Sequence, residues 1–313
     1  MIRKVAVVGS YNVDMTITTE NFPHPGETVL GKSLKSGPGG KGANQAVAAA
    51  RSGASVSFLA KVGGDQYGQN AIATLAKENI FTQNMIIDPK SPTGMAFITV
   101  NREGENCIVV ISGANWTLTK ADVLSNSQII SEAHVLLTQL ETPLPSVAAA
   151  IEVARNNGVK VVLNPAPAQS LDPELLKKVN ILTPNRIEAE MLTGLDLSQN
   201  SSLPLAADKL HAMGVQIVLI TLGSQGVFIS GYNQQTLLPS MKVEAVDTVG
   251  AGDVFSGTIA AHYPTDYDTL LSTVTMATAA SGLSIQKVGA QAAIPHLAEV
   301  QSCVKHTQLV ENQ

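Results

Sequence analysis

Short runs of aliphatic and β-branched residues recur at positions 5–8, 55–59, 135–137, 160–163, 180–182 and 216–221. Within each run the apolarity is continuous rather than alternating, the pattern of strands buried on both faces in a parallel sheet covered by helices. Ala-rich stretches between them carry a helical period and predict helices at 44–52, 66–79, 144–156, 204–213 and 252–262. Strand and helix in this alternation predict an α/β fold, a doubly wound, mainly parallel sheet flanked by helices. Two segments break the rhythm. Residues 11–36 and 93–111 are rich in Thr, Val, Gly and polar residues without a helical period, and they predict extra antiparallel strands forming a small β-strand lid over the sheet edge. No repeat, low-complexity tract or charge run marks a linker, so the chain reads as a single domain over 1–313 with the lid as its outgrowth. After the 216–221 run come short strands at 227–230 and 236–238 and an Ala/Ser/Thr-rich helix at 270–286, a candidate nucleotide-binding end.

Composition narrows the partners. With Lys+Arg 20, Asp+Glu 25 and a formal charge of -5, no basic face is implied and nucleic acid is a poor partner; a small metabolite fits better. Cys107 and Cys303 lie far apart without CxxC or Cys/His spacing, so neither a disulfide framework nor a zinc site is expected, and a reducing cytoplasm is the expected setting. The apolar run near the N-terminus is too short for a signal segment, and none elsewhere approaches the roughly 20 residues needed to span a membrane. The histidines are scattered without ligand spacing, and no GxSxG elbow occurs.

The densest candidate chemistry is the stretch from Asp247 to Gly257, DTVGAGDVFSG. Gly250, Ala251 and Gly252 let backbone N–H groups converge where a helix begins, which suits an anion, and Asp253 sets a carboxylate beside them. A carboxylate would repel a stably bound anion. The pairing makes sense if negative charge appears only transiently while Asp253 takes a proton, as in phosphoryl transfer onto a hydroxyl. The competing reading is a Gly-rich turn with Asp favoured by the helix dipole. A second Gly-rich helix entrance, GPGGKGAN at 37–44, fails the Walker pattern because Gly42 follows Lys41 where Ser or Thr is needed. The first strand likewise lacks GxGxxG. Gly40, Lys41, Gly42 and Asn44 either bind hydroxyls or phosphate or merely turn the chain.

Four further sets admit two readings each. Asn12 and Asp14 follow the first strand, and Asp14 suits vicinal hydroxyls of a polyol, while an Asn/Asp turn is the alternative. Glu141 either binds substrate or starts the next helix. Asn185 and Glu188 share one helix face, able to hold hydrated Mg²⁺ near phosphates, and equally match a capping box. Thr221, Gly223, Ser224 and Gly226 either cradle ATP phosphate or ribose, or form a hairpin turn.

These motifs, in this order, resemble the ribokinase (pfkB) family of carbohydrate kinases. Gly39 to Asn44 with Gly53 and Gly63 is similar to the family's first signature, and Asp247 to Gly257 to its second; GAN at 113–115, LNPAPA at 163–168, TPN at 183–185 and TLGS at 221–224 add to the likeness over nearly the whole chain. The resemblance implies a ribokinase-like fold and ATP-dependent phosphorylation of ribose at its 5-hydroxyl. It implies sugar binding by Asn12, Asp14, Gly40, Lys41, Gly42, Asn44 and Glu141, with Asp253 as base and Gly250 to Gly252 as anion hole. ATP would fall to Asn185, Thr221, Gly223, Ser224 and Gly226, and Mg²⁺ to Glu188 through water. It further implies an activating K⁺ held by Asp247 and backbone carbonyls near Val249, Ser284, Lys287 and Gly289, and a homodimer through the lid. Three positions depart from the family pattern: Ala293 replaces a serine of the K⁺ site, Thr278 an adenine-side Asn or His, and Thr258 a smaller residue. Deoxyribose, a ketohexose or a nucleoside as acceptor, and a non-catalytic sugar sensor, are the alternatives.

Overall fold

The structure, a computed structural model, describes residues 2–311. Its strands are β1 (Lys4–Val8), β2 (Asn12–Thr18), β3 (Ser33–Gly39), β4 (Ser55–Leu59), β5 (Lys61–Gly63), β6 (Ile86–Asp88), β7 (Gly94–Val100), β8 (Asn106–Ile111), β9 (Val135–Thr138), β10 (Lys160–Leu163), β11 (Ile181–Leu182), β12 (Ile217–Thr221), β13 (Val227–Gly231) and β14 (Gln234–Leu238). Its helices are α1 (Lys41–Arg51), α2 (Gln66–Lys77), α3 (Lys120–Ser125), α4 (Ser127–Ser131), α5 (Leu144–Asn156), α6 (Pro173–Leu176), α7 (Arg186–Thr193), α8 (Leu203–Ala212), α9 (Ala251–Ala261), α10 (Tyr267–Ser284), α11 (Ala290–Ala293) and α12 (Leu297–Glu311).

The main sheet has eight strands in the order β14-β13-β12-β11-β10-β9-β1-β4, parallel from β4 to β12 and antiparallel at β13 and β14. The continuous apolarity of the strands has the expected cause. Val5 and Val7 join the core beneath α1, α2, α9 and α10, whereas Ala6 and Val8 face the opposite core beneath α5 and α8. Both layers exclude water, so each strand needs apolar residues at successive positions. The expected doubly wound α/β fold is therefore observed.

The segments that broke the rhythm form a separate four-stranded sheet, β3-β2-β7-β8. It is mixed rather than wholly antiparallel, because β2 and β7 run parallel while β3 and β8 pair antiparallel at the edges. Helix α1 starts at Lys41, three residues before the expected Asn44, since Gly40 at φ 85° turns β3 directly into it. Strands β5 and β6 and helices α3, α4, α6, α11 and α12 were not expected from the pattern.

One close approach fixes the active end of the fold. A Cβ on Gly257 of α9 would lie 2.6 Å from both Ala48 Cβ and the Gln45 carbonyl oxygen of α1, so only glycine permits this helix spacing. Thr258 reinforces it: its hydroxyl lies 3.2 Å from the Ser52 hydroxyl and 2.8 Å from the Val254 carbonyl.

Candidate active site

Parallel strands end on one edge of the sheet, and the loops leaving that edge carry the polar side chains, the usual ligand side of such a sheet. Ser10 and Asn12 follow β1, Gln139 and Glu141 follow β9, Asn164 follows β10, Thr183 and Asn185 follow β11, and Gly223 follows β12.

Asp253 sits in the first turn of α9, 5 % exposed. A buried carboxylate needs hydrogen-bond donors, and α1 supplies them: Asn44 Nδ2 donates to Oδ2 at 3.0 Å and Gln45 Nε2 to Oδ1 at 2.9 Å. Gly250, at φ 80°, occupies the cap of α9 and offers no capping side chain. The Ala251 N–H makes a long bond to the Thr248 carbonyl, 3.4 Å, and among the described residues no protein group accepts from the N–H of Gly252 or Asp253. Gly252 has neither a left-handed φ nor a neighbour within 4 Å of its missing Cβ, so protein packing does not explain it. Open donors on a helix N-terminus with clear space before them suit an anion.

The other Gly-rich entrance is closed. The Lys41 N–H of α1 donates to Glu141 Oε2 at 2.9 Å, the Gly42 N–H to Ser10 Oγ at 3.2 Å, and Ser10 Oγ–H to the same Glu141 oxygen. Glu141 thus caps α1 from another loop rather than starting α5, whose cap is Pro143. Asn12 and Asp14 are strand residues of β2, not a turn; Asn12 Oδ1 accepts from Asn115 Nδ2 at 2.8 Å, and a Cβ on Gly39 would strike the Asp14 carboxylate. Asn44 Oδ1 is buried without a partner.

A cavity of about 570 Å³ gathers Lys41, Asn185, Glu188, Thr221, Gly223, Ser224, Gly226, Gly250, Ala251, Gly252, Asp253 and Thr278 along its lining. Asn185 and Glu188 do form the capping box of α7, with Asn185 Oδ1 accepting from the Glu188 N–H at 2.8 Å and Glu188 Oε2 from the Asn185 N–H at 2.8 Å. Both nevertheless border the cavity, so the cap holds Glu188 there. Gly223, Ser224 and Gly226 belong to the connection between antiparallel β12 and β13, and a Cβ on Gly226, at φ 100°, would lie 2.0 Å from the Leu238 carbonyl oxygen. Thr278 Oγ1, on α10, is buried without a hydrogen-bond partner.

Asn12, Asp14, Gly40, Gly42, Asn44 and Glu141 do not line this cavity; they gather beside it, around Lys41 and Asp253. Asp247, Val249, Ser284, Lys287 and Gly289 form a neighbouring group. Asp247 accepts from the Val249 N–H at 3.0 Å and the Gly289 N–H at 2.9 Å, drawing two loops together, while Ser284 Oγ donates to the Ser281 carbonyl and Lys287 Nζ reaches Glu299. Ala293 is buried in α11.

Lys41 is surrounded by acid. The carboxylate of Asp253, followed by those of Glu141, Glu188 and Asp14, raises its pKa despite burial, so it stays protonated. Burial, then the charges of Glu141 and Asp253, pushes Asp14 up to about 7, with Lys41 opposing the rise. Burial also raises Glu188, offset in part by the Asn185 N–H and by Lys41. A site with this excess of carboxylates accepts a polyphosphate only together with a counter-cation. The carboxylate of Glu188, at the cavity wall, is a hard oxygen donor suited to a hydrated Mg²⁺.

Comparison with known proteins places the chain in a family. The pattern described as pfkB family carbohydrate kinase matches residues 2–297. The ribokinase of Haemophilus influenzae is 42% identical over 308 residues, covering 98% of this chain and 100% of that protein. A deoxyribokinase of Salmonella typhi is 35% identical over 294 residues, with 94% and 96% covered. The structure of Arabidopsis thaliana ribokinase complexed with ribose and ATP is 28% identical, superposes with a TM-score of 0.89, and shares 97% of this chain and 99% of that one. The chain belongs to the pfkB family of carbohydrate kinases. Its reaction is a phosphotransfer to a sugar hydroxyl.

Ser10, Gln45, Asn115, Gln139 and Asn164 are polar contributors that motif reasoning did not assign. Gln45, Asn115 and Asn164 stood inside the strings that carried the family resemblance, and Gln139 stands out only as an amide in an otherwise apolar run.

Asp14 generates a stability prediction. Between about pH 4 and 7 the folded chain holds a proton on Asp14 that the unfolded chain has released, so this group's contribution to stability falls as pH rises through that window. Asp14→Asn should leave the melting temperature nearly unchanged at pH 4 and raise it at pH 8. A gain in Tm that does not grow with pH would contradict the shift.

Proposed function

We propose that the chain transfers the γ-phosphoryl of ATP to the 5-hydroxyl of D-ribose, giving ribose 5-phosphate and ADP. The observation that carries this reading is the first turn of α9, where the Asp253 carboxylate stands beside two unpartnered N–H groups at the cavity wall. Asn12, Asp14, Gly40, Lys41, Gly42, Asn44 and Glu141 hold the sugar, with Asn44 Oδ1 as a free acceptor for one of its hydroxyls. Asp253 removes the proton of the primary hydroxyl as that oxygen bonds to phosphorus and the bond to ADP breaks. Negative charge growing on the transferred group meets the N-terminus of α9, where the donors are already oriented. Gly250 supplies the φ that opens this anion hole, and its open donors, the N–H groups of Gly252 and Asp253, reach one residue beyond the Gly250–Gly252 expected from sequence.

Asn185, Thr221, Gly223, Ser224, Gly226 and Thr278 bind ATP in the cavity. Mg²⁺, held through water by Glu188, would neutralise the polyphosphate. K⁺ would be held by the group around Asp247, to which Ala293 brings no oxygen, and would brace the loop that leads into α9. Ribose is favoured over deoxyribose because Asp14 suits an acceptor with vicinal hydroxyls. A reducing cytoplasm suits Cys107 and Cys303, which are thiols; no helix among the described residues is long and apolar enough to cross a membrane.

The lid supports a homodimer. Strand β8 is an edge strand whose Ile108, Val109, Val110 and Ile111 are 51%, 65%, 52% and 48% exposed, so both of its faces are bare and its backbone edge is open. A second lid covers this surface in our reading.

Asp253→Asn should fold and bind ribose while turnover falls by about three orders of magnitude or more; near-native turnover would remove Asp253 from the role of base. A sugar panel assayed by ADP release, with and without K⁺, should give ribose the highest kcat/KM and show activation by K⁺. Faster turnover of deoxyribose would reassign the acceptor, and indifference to K⁺ would remove the cation site. Val109→Asp should convert a dimer to a monomer in sedimentation equilibrium; a monomeric parent protein would refute the lid interface.

A further inference from the structure

Gln45 is fully buried yet makes no contact expected of a sugar-binding residue. Its Nε2 donates to Asp253 Oδ1 at 2.9 Å and to Asn164 Oδ1 at 3.0 Å, and its Oε1 accepts from Gln139 Nε2 at 2.6 Å. Asn164 Nδ2 in turn donates to the backbone carbonyl of Thr183 at 3.0 Å. The direction of every bond follows from its ends. An ionised carboxylate and a backbone carbonyl only accept, so the amide of Gln45 must turn its NH₂ toward Asp253 and that of Asn164 its NH₂ toward Thr183. Only one arrangement of the three amides satisfies both ends.

The three amides come from α1 and from the loops after β9 and β10, and Thr183 from the loop after β11. Gln139 precedes Leu140 and Glu141, the residue that caps α1, and Thr183 precedes Pro184 and Asn185 at the nucleotide cavity. A neutral amide chain therefore runs from Asp253 along the sheet edge to the loops after β9, β10 and β11. We propose that Gln45 is a positioning residue for phosphoryl transfer: held by Gln139 and Asn164, it ties Asp253 Oδ1 while Asn44 ties Oδ2, so that the rotation of the carboxylate is fixed and its plane is set for the incoming hydroxyl. Asn44 alone restrains a single oxygen and leaves the carboxylate free to swing about that bond.

This inference rests on Asp253 acting as the base, and the experiment separates the two. Gln45→Met keeps length and volume while removing the donor. It should lower kcat by about 10- to 100-fold, the scale set by misplacing a catalytic group by an ångström, with KM for ribose and for ATP unchanged. Gln139→Met, which only releases the far end of Gln45, should lower kcat by a smaller factor, and the double variant should be no slower than Gln45→Met. In an Asp253→Asn background, Gln45→Met should have no further effect on the residual rate. Native kcat in folded Gln45→Met, a loss expressed only in KM, or an equal loss in the Asp253→Asn background would each overturn the proposal. If Gln45→Met does not fold, Gln139→Met carries the same test, and native kcat in that variant overturns the relay. Full activity of Asp253→Asn itself would instead overturn the assignment of the base.

Discussion

The structure depends on a buried carboxylate held by another helix. Asp253 is withdrawn from water at the start of α9, and both of its oxygens accept amide hydrogens from consecutive residues of α1. Leaving such a charge without donors would cost several kcal/mol, so the two helices must keep their relative position wherever Asp253 is ionised. Close packing serves the same end: Gly257 brings α9 against Ala48 and the Gln45 carbonyl, which is what places Asn44 and Gln45 within reach. Packing of small residues thus becomes orientation of a carboxylate.

Around that pair the fold sorts two helix entrances of similar composition into opposite roles. The first turn of α1 is satisfied from within, by Glu141 and Ser10, and its Lys41 faces a crowd of acids that keeps it charged. The first turn of α9 is left with open donors at the cavity wall. Neutral hydroxyls suit the first entrance, where carboxylates accept their hydrogens; transient negative charge suits the second. Burial of Asp14, and after it repulsion from Glu141 and Asp253, has a structural cost, visible in its raised pKa.

Much of this was legible in sequence because the signals were local. Continuous apolar runs marked strands buried on both faces, and the glycines before Asp253 marked a helix entrance. Other features were hidden because they depend on tertiary partners. The segment 11–36 that holds Asn12 and Asp14 was legible as strand, but its partners were not, since β2 pairs antiparallel with β3 and parallel with the distant β7. Nor does GGKGAN reveal that Glu141, a hundred positions away, closes its helix. Asn185 and Glu188 were legible as either cap or cation holder, and the fold makes the cap at the cavity wall, so the alternatives were never exclusive. Gln45, Gln139 and Asn164 escaped because an amide's role does not follow from its neighbours in sequence; their meaning lies in a hydrogen-bond direction set by partners on separate elements.

The central claim is that Asp253 and the open N-terminus of α9 meet the two reacting groups from one helical turn. A crystal structure with ribose and a non-hydrolysable ATP analogue tests it most directly. The account predicts the primary hydroxyl oxygen about 2.6–3.2 Å from the Asp253 carboxylate, with the terminal phosphate oxygens facing the N–H groups of Gly252 and Asp253. A primary hydroxyl turned away from Asp253, or a terminal phosphate seated against Lys41 and the start of α1 instead, would contradict it.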